Sequence, residues 1–289
     1  MSFAARAQSS PCPSAPSRKS RFSDPWRCAR AHAHTLCLLC SLTSTLRRVQ
    51  DPDKHLPFVR PVLEALRREV GGASTVLGFI GTPWTLAAYS VEGGAEKHCT
   101  QTKALMFSQP AVLHALLAHL AEALGAYACH QIDSGAQVVQ LFDSWAHHLS
   151  PSQFAEFSMP YAERVMAIVR AKHPKTPLIF HANGSAGKET LMRGCSADVV
   201  GLDWATDMGE ARGVFGKKAV LQGNVDPQVL FGPASQIEKA VQECVSKAGR
   251  HHILNVGHGV AQGTPEENVA LFCDLARAAR YDAQPAAAR

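Results

Sequence analysis

Six short apolar runs of the sequence each end in a polar or glycine-rich turn, and these turns carry the residue types that could do chemistry. The turns lie at 81–84, 143–145, 183–184, 203–204, 223–226 and 257–259. Carboxylates at three of these positions, Asp143, Asp203 and Asp226, are candidates for acid/base work. Capping a helix or bracing a loop suits them equally. His258 stands between two glycines, where an imidazole can donate a hydrogen bond or carry charge beside carboxylates, although a structural turn explains it equally well.

Motifs for nucleophilic, metal and nucleotide chemistry are incomplete. Ser144 has no surrounding G-x-S-x-G elbow, so a nucleophilic role is unsupported, and a serine there suits the capping of a turn. The stretch 184–188 has two residues between its glycines and Glu189 after its lysine, which departs from a phosphate loop. His32, His34, Cys37 and Cys40 are soft zinc ligands, but structural zinc sites sit in folded knuckles, and no folded unit is predicted around them. We predict no metal.

The elements that must position the turns alternate between strands and helices. Apolar, β-branched runs predict strands at 75–80, 137–142, 177–181, 198–202, 219–222 and 252–256. Helical patterns occupy 56–70, 111–131, 151–171, 234–247 and 265–279. This alternation predicts an α/β fold with a parallel sheet. No G-x-G-x-x-G follows the first strand, and all six turns lie at the carboxyl ends of strands. We therefore predict a (β/α)8 barrel of which six units are recognisable.

Composition separates the first fifty residues from the rest. Residues 1–50 hold eight Lys or Arg and one acid, Asp24, whereas the remainder holds 21 basic against 23 acidic residues. The Ser- and Arg-rich stretch is typical of a transit peptide or of a non-native leader, and we predict it to be disordered. Residues 51–281 are predicted to form the partial barrel and 282–289 a flexible tail. The barrel part is near neutral, so nothing indicates nucleic acid.

Cysteine usage and hydropathy place further bounds on the chain. Nine cysteines without framework spacing indicate reduced thiols. The longest apolar stretch near the start, 36–42, is far shorter than the roughly 20 residues that span a bilayer. The sequence therefore predicts no membrane span.

Five segments in order resemble the uroporphyrinogen decarboxylase family. They are LGFIGTPWTLAAYSVEGG (77–94), GAQVVQLFDSWAHHLSP (135–151), VVGLDW (199–204), LQGNVDP (221–227) and ILNVGHGVAQGTPEE (253–267). DPDKHLPFV (51–59) is similar to the plant and algal plastid type. The resemblance implies a homodimeric (β/α)8 barrel that removes the four acetate carboxylates of uroporphyrinogen III to give coproporphyrinogen III. It also implies no cofactor, and a plastid location, with the cytoplasm as the alternative.

The resemblance carries over three substrate-binding residues: Tyr89, Ser144 and His258. It leaves the catalytic residues unassigned, because the family's R-Q-A-G-R-Y and F-S-D-I patterns, at the ends of its first two strands, do not occur here. The count of six recognisable units agrees with this absence. The two strands that are missing from a (β/α)8 barrel are the two that would end in these patterns. We therefore hypothesise a truncated decarboxylase that is inactive by itself, with bare sheet edges that favour aggregation.

Two other functions remain open from the sequence. A non-catalytic paralogue that binds porphyrinogen, or pairs with a full-length subunit, would keep Tyr89, Ser144 and His258 without the missing patterns. A corrinoid or thiol methyltransferase of the same superfamily would need soft zinc ligands at the strand ends, and the strand ends lack a His-x-Cys pair.

Overall fold

The computed structural model describes residues 51–281. The predictions for residues 1–50, including the His32, His34, Cys37 and Cys40 cluster, and for 282–289 lie outside the described residues.

Six parallel strands form one sheet in the order β1-β2-β3-β4-β5-β6. They are β1 Leu77–Gly81, β2 Val138–Asp143, β3 Leu178–Ala182, β4 Val199–Gly201, β5 Val220–Val225 and β6 His252–Val256. All six predicted strands are confirmed, with bounds that differ by three residues at most. Sequence neighbours pair in space throughout, as they do around a (β/α)8 barrel.

Helices alternate with these strands. They are α1 Pro52–His55, α2 Val59–Val70, α3 Pro83–Glu92, α4 Thr100–Ser108, α5 Pro110–Asp133, α6 Pro151–Phe157, α7 Met159–Lys172, α8 Glu189–Met192, α9 Met208–Phe215, α10 Ala234–Ala248 and α11 Glu266–Ala278. Short 3₁₀ turns span Ala146–His148 and Pro227–Phe231.

The helix predicted at 151–171 is two helices, and that expectation was wrong. Ser158 separates α6 from α7, and Pro160 lies in the first turn of α7. A proline cannot donate the helical hydrogen bond and its ring crowds the carbonyl four residues earlier, so a helix begins there more readily than it continues. Among the helices of eight residues or more, α3, α4 and α9 were not predicted.

The core lies between the sheet and its helices. Strand β3, which contains Phe180, is buried along its whole length, and Trp84 and Phe154 are fully buried in the same core. In the described part of the chain, α5 alone is long and apolar enough to cross a membrane, with a mean hydropathy of 1.4. Over half of that helical window is buried inside the protein. A core helix passes the same test, so α5 is weak support for a membrane span.

Candidate functional site

A cleft of 380 Å³ opens at the carboxyl ends of the strands. Side chains and backbone from β2 to β6 and the turns after them line it: Gln140, Phe142, Ser144, His181, Asn183, Leu202, Gln222, Gly223, Asn255, Val256, His258 and Gly259. These residues supply amides, one hydroxyl and two imidazoles, and no Lys, Arg, Asp or Glu is among them. The cleft can therefore donate and accept hydrogen bonds, but histidine is its sole source of positive charge among these residues.

Ser144 stands at the cleft immediately after β2. Its backbone oxygen accepts a hydrogen bond from Asn183 Nδ2 at 3.2 Å and lies 3.1 Å from His147 Nδ1. The bond from Asn183 holds the Ser144 backbone against the turn after β3, and His147 contacts it from within its own turn. Ser144 thus lines the cleft on a main chain that is held by neighbouring side chains.

The carboxylate of Asp143 lies behind Ser144 and is fully buried. Oδ1 accepts hydrogen bonds from Thr82 Oγ1 at 2.7 Å and Thr85 Oγ1 at 2.8 Å, while Oδ2 accepts from the Ser158 hydroxyl. Burial raises the pKa of Asp143, and these three hydroxyl donors oppose that rise. Of the two roles open at the sequence level, the geometry supports bracing, because both oxygens are occupied away from the cleft.

The same brace positions Tyr89. The hydroxyl oxygen of Thr85 accepts the Trp145 backbone N–H at 3.2 Å, and Trp84 Nε1 donates to the Trp145 carbonyl at 3.1 Å. The Tyr89 ring meets the Trp145 ring edge-on, with centroids 5.1 Å apart. Tyr89 is exposed on α3 beside this turn, and it is not among the residues that line the cleft.

Asp203 braces the next pair of turns. Its Oδ2 accepts the backbone N–H groups of Gly184 and Ser185, the latter at 3.0 Å. Oδ1 accepts the N–H of Thr206 at 3.2 Å and its hydroxyl at 2.9 Å. The turns after β3 and β4 are thus joined through one buried carboxylate. Asp226 is also used locally, since it accepts the Gln228 N–H at the start of a 3₁₀ turn.

His258 lies on the exposed turn after β6, and Gly257 allows that turn to approach the turn after β4 closely. A Cβ added to Gly257 would stand 2.2 Å from the backbone nitrogen of Trp204, closer than real Cβ contacts. The approach therefore requires glycine and brings His258 to the cleft that Ser144 lines.

His181 is a second cleft imidazole, which the sequence reasoning missed. It lies in β3, is buried, and contacts the Phe142 ring edge-on at 5.8 Å between centroids. Burial lowers the pKa of His181 to about 4; Asp203 opposes this and His258 adds to it. The imidazole is therefore neutral at pH 7 and serves the cleft as a hydrogen-bonding group. A histidine inside the otherwise apolar LIFHA run was the signal that could have identified it.

The uroporphyrinogen decarboxylase (URO-D) family model matches residues 41–279. The chain belongs to this family. It is 50% identical over 231 residues to the uroporphyrinogen decarboxylase of Crocosphaera subtropica and 53% identical over 228 residues to that of Nostoc punctiforme. These matches cover 80% and 78% of this chain, but 65% of each relative. The chain thus spans about two thirds of the length of the relatives it matches.

A solved structure supports the fold of this family member. A methyltransferase from Methanosarcina mazei superimposes with a TM-score of 0.68 at 22% identity, covering 79% of this chain and 66% of the other. At that identity the likeness shows a common architecture. The predicted membership of the (β/α)8 barrel class is confirmed, with six strands in the described residues.

The three residues transferred from the decarboxylase family are placed unevenly. Ser144 and His258 line one cleft, and Tyr89 lies next to it against Trp145. Their roles in binding remain predictions. Within residues 51–281, no group of three or more His, Cys, Asp or Glu side chains is placed to hold a metal ion.

Proposed function

We propose that the chain carries the cleft of a uroporphyrinogen decarboxylase, which converts uroporphyrinogen III to coproporphyrinogen III by removing four acetate carboxylates. The observation that carries the proposal is about 50% identity to uroporphyrinogen decarboxylases over four fifths of the chain. An assembled cleft at the carboxyl ends of the strands, where barrel enzymes hold their active sites, supports it.

The substrate's chemistry gives each cleft group a task. Uroporphyrinogen presents eight carboxylates and four pyrrole N–H groups. His258, exposed and flanked by glycines, can donate to a carboxylate, and the hydroxyls of Ser144 and Tyr89 can do the same. The buried amides of Gln140 and Gln222, 3.3 Å apart, and neutral His181 supply uncharged hydrogen-bonding groups deeper in the cleft.

Charge is what the lining of this cleft lacks. Arginine clamps carboxylates through two parallel hydrogen bonds, which histidine cannot copy. Preorganised charge is also the largest contribution to most enzymatic rate enhancements. We therefore propose that the described residues recognise the tetrapyrrole, and that the arginines and the acceptor for the pyrrole N–H groups belong to a part of the barrel outside them.

The test is an anaerobic assay of coproporphyrinogen III formation from uroporphyrinogen III. It is run on the purified chain alone, and on the chain mixed with the third of the Nostoc punctiforme relative that lies outside the match. Turnover in either sample supports the proposal if His258→Ala lowers it at least tenfold and His55→Ala, at an exposed position of α1, leaves it unchanged. Substrate binding without turnover in both samples favours the non-catalytic paralogue. If the folded protein shows no substrate binding and no turnover, the proposal is overturned.

We propose a plastid location for the chain. Eight basic residues and one acid within the first fifty suit a transit peptide, and the cyanobacterial relatives suit a plastid pathway. A fluorescent protein fused behind residues 1–50 should enter plastids. A diffuse cytoplasmic signal would support the alternative location instead.

We also propose that the completed barrel is a homodimer, as the resemblance implies. Light scattering tests this on the chain mixed with the unmatched third of the Nostoc punctiforme relative, as the sample elutes from a sizing column. A monomer at all concentrations would contradict it.

A further inference from the structure

The turn at 145–148 forms a rim beside the cleft and carries two histidines side by side. His147 and His148 end the 3₁₀ turn that follows Trp145. Their ring centroids are 4.0 Å apart, and the ring planes are tilted by 40°. The Trp145 ring lies next to both, at 4.9 Å from the His148 ring and 6.2 Å from the His147 ring. Successive side chains of a regular helix or strand point in different directions, whereas this turn gathers two imidazoles on one tryptophan.

His147 contacts two residues that line the cleft. Its Nδ1 lies 3.1 Å from the Ser144 carbonyl oxygen and 3.1 Å from Asn183 Nδ2. A neutral ring can accept a hydrogen from the Asn183 amide at Nδ1, and an imidazolium donates from Nδ1 to the Ser144 oxygen. In both forms Nε2 carries a hydrogen on the other side of the ring. His147 can therefore change its charge without losing its anchor, and it keeps one donor for a ligand.

Gly184 makes this close seating of His147 possible. Its φ is +69°, a left-handed conformation that favours glycine. A Cβ added there would stand 2.7 Å from both Cα and Cβ of His147. The backbone N–H of Gly184 also donates to Asp203, which braces the turns after β3 and β4. The rim is thus packed against a braced turn, so its imidazoles are held in place before a ligand arrives.

Groups that can carry positive charge outnumber acids around the rim. The titratable side chains that face His148 are His147 in the same turn, Lys103 on α4, and Glu96 and His98 before α4. Burial lowers the pKa of His148, the neighbouring basic groups lower it further, and Glu96 opposes them. Glu96 is already used at the start of α4, where its carboxylate accepts two backbone N–H groups. A bound anion would therefore relieve the crowding of positive charge and favour a protonated imidazole.

The rim also joins Tyr89 to the cleft. The Tyr89 ring meets the Trp145 ring edge-on, and Trp145 lies next to both imidazoles. His147 in turn contacts Ser144, which lines the cleft. One continuous surface thus leads from Tyr89 across the two histidines to Ser144, so a ligand that touches Tyr89 and enters the cleft must pass over the rim.

We propose that His147 and His148 form a carboxylate subsite on the rim, which binds one arm of the tetrapyrrole and takes up a proton from solvent as it does so. This inference rests on the proposed decarboxylase function, because that function supplies the ligand. Uroporphyrinogen carries carboxylates on every side of its macrocycle, so arms extend beyond any one wall of the cleft. The described residues that line the cleft include no Lys or Arg, and imidazoles at its edge supply the charge that this lining lacks.

The pair is suited to one proton. A hydrogen bond between an imidazolium and a carboxylate is roughly twice as strong as one between neutral groups. Two imidazolium rings with centroids 4.0 Å apart would repel each other, so the second ring stays neutral and donates from its own N–H. The bound carboxylate thus receives one charged and one neutral donor.

Anaerobic calorimetric titration of the full 289-residue chain with uroporphyrinogen III tests the subsite. Titrations between pH 6 and pH 8, in two buffers of different ionisation enthalpy, give the affinity and the number of protons taken up. We expect tighter binding at pH 6. The double variant His147→Gln and His148→Gln keeps neutral donors but loses the charge. Its affinity at pH 6 should fall about tenfold or more, and about one proton fewer should be taken up.

His251→Gln is the matched control. It replaces an exposed imidazole immediately before β6, at the end of the strands opposite the cleft, so affinity and proton uptake should equal those of the wild type. Circular dichroism confirms that each variant is folded. His147→Gln alone changes only the exposed ring, and it replaces the double variant if that protein does not fold. Coproporphyrinogen III keeps the propionates without the acetates, so an equal loss of its affinity identifies the bound arm as a propionate.

The outcomes separate this subsite from the decarboxylase function. If the folded histidine variants match the wild type in affinity and proton uptake, the subsite is overturned and the decarboxylase function stands. If the variants lose affinity and proton uptake but the wild type forms no coproporphyrinogen III, the subsite stands and the function falls. If the folded wild type binds no tetrapyrrole at any pH tested, both are overturned.

Discussion

Thr85 donates its hydroxyl to Asp143 Oδ1 across 2.8 Å, and this bond joins the helix of Tyr89 to the end of β2. The same carboxyl group also accepts the hydroxyls of Thr82 and Ser158, so the residues that precede α3 and α7 meet at one buried side chain. Ser144 follows Asp143 directly, and its wall of the cleft is therefore held by this cluster. A small number of hydrogen bonds behind the cleft sets the relation between two predicted substrate-binding residues.

Replacing the Asp143 side chain should lower the stability of the fold markedly. Asp143→Ala leaves three buried hydroxyls without their acceptor, and we expect a loss of about 3 kcal/mol in the free energy of unfolding. Asp226→Ala is the control, because it removes one cap at a 3₁₀ turn and should cost about 1 kcal/mol. Urea unfolding monitored by circular dichroism measures both. Equal losses for the two variants would contradict the bracing role of Asp143.

The two glycines beside His258 should differ in how well they tolerate an added methyl group. Gly257→Ala places a Cβ against the Trp204 backbone, so the turn after β6 must move, at a cost of about 2 kcal/mol. Gly259→Ala meets nothing within 4 Å and should change stability by about 0.5 kcal/mol or less. Thermal unfolding compares the pair. A destabilised Gly259→Ala beside an unchanged Gly257→Ala would refute this packing.

His181 should make stability depend on pH in a defined window. Its folded pKa is about 4 and its ordinary value is 6.5, so the unfolded state binds the proton more readily. The contribution of neutral His181 to the free energy of unfolding is complete above pH 6.5. It is lost as the pH falls toward 4, and the total loss is about 3 kcal/mol. Unfolding free energies measured between pH 7 and 4 should fall more steeply for the wild type than for His181→Gln. His55→Gln, at an exposed position, should keep the wild-type slope.

Thiol reactivity should follow burial. The five cysteines in the described residues are free, and Cys273 alone among them is exposed. Burial raises the pKa of Cys195 to about 11, which leaves about one thiolate in a thousand at pH 8. Iodoacetamide labelling with peptide mass spectrometry should modify Cys273 at least tenfold faster than Cys195. In urea the two rates should converge, and similar rates in the native protein would contradict the burial.

The strands could be predicted because their signals are local. An apolar run such as 252–256, ending at a glycine turn, specifies a strand within the run itself, and β6 spans the same residues. The break at Ser158 also has a local signal, which is Pro160. The prediction missed it because the apolar periodicity continues on both sides of the break. Helix α3 was missed because its residues, TLAAYSV, lack a polar face, since the helix is largely buried.

The sequence by itself determined the family, the order of six βα units and the turns at their carboxyl ends, because these depend on runs of neighbouring residues. Only the tertiary structure decided that Asp143 is a brace and that His181 is buried and neutral. The partners of Asp143 stand 58 and 61 positions before it and 15 after it. Burial of His181 likewise depends on how adjacent strands and turns enclose it. Hydrogen bonding and desolvation depend on which residues pack around a side chain. The tertiary fold determines those residues when they are distant in sequence.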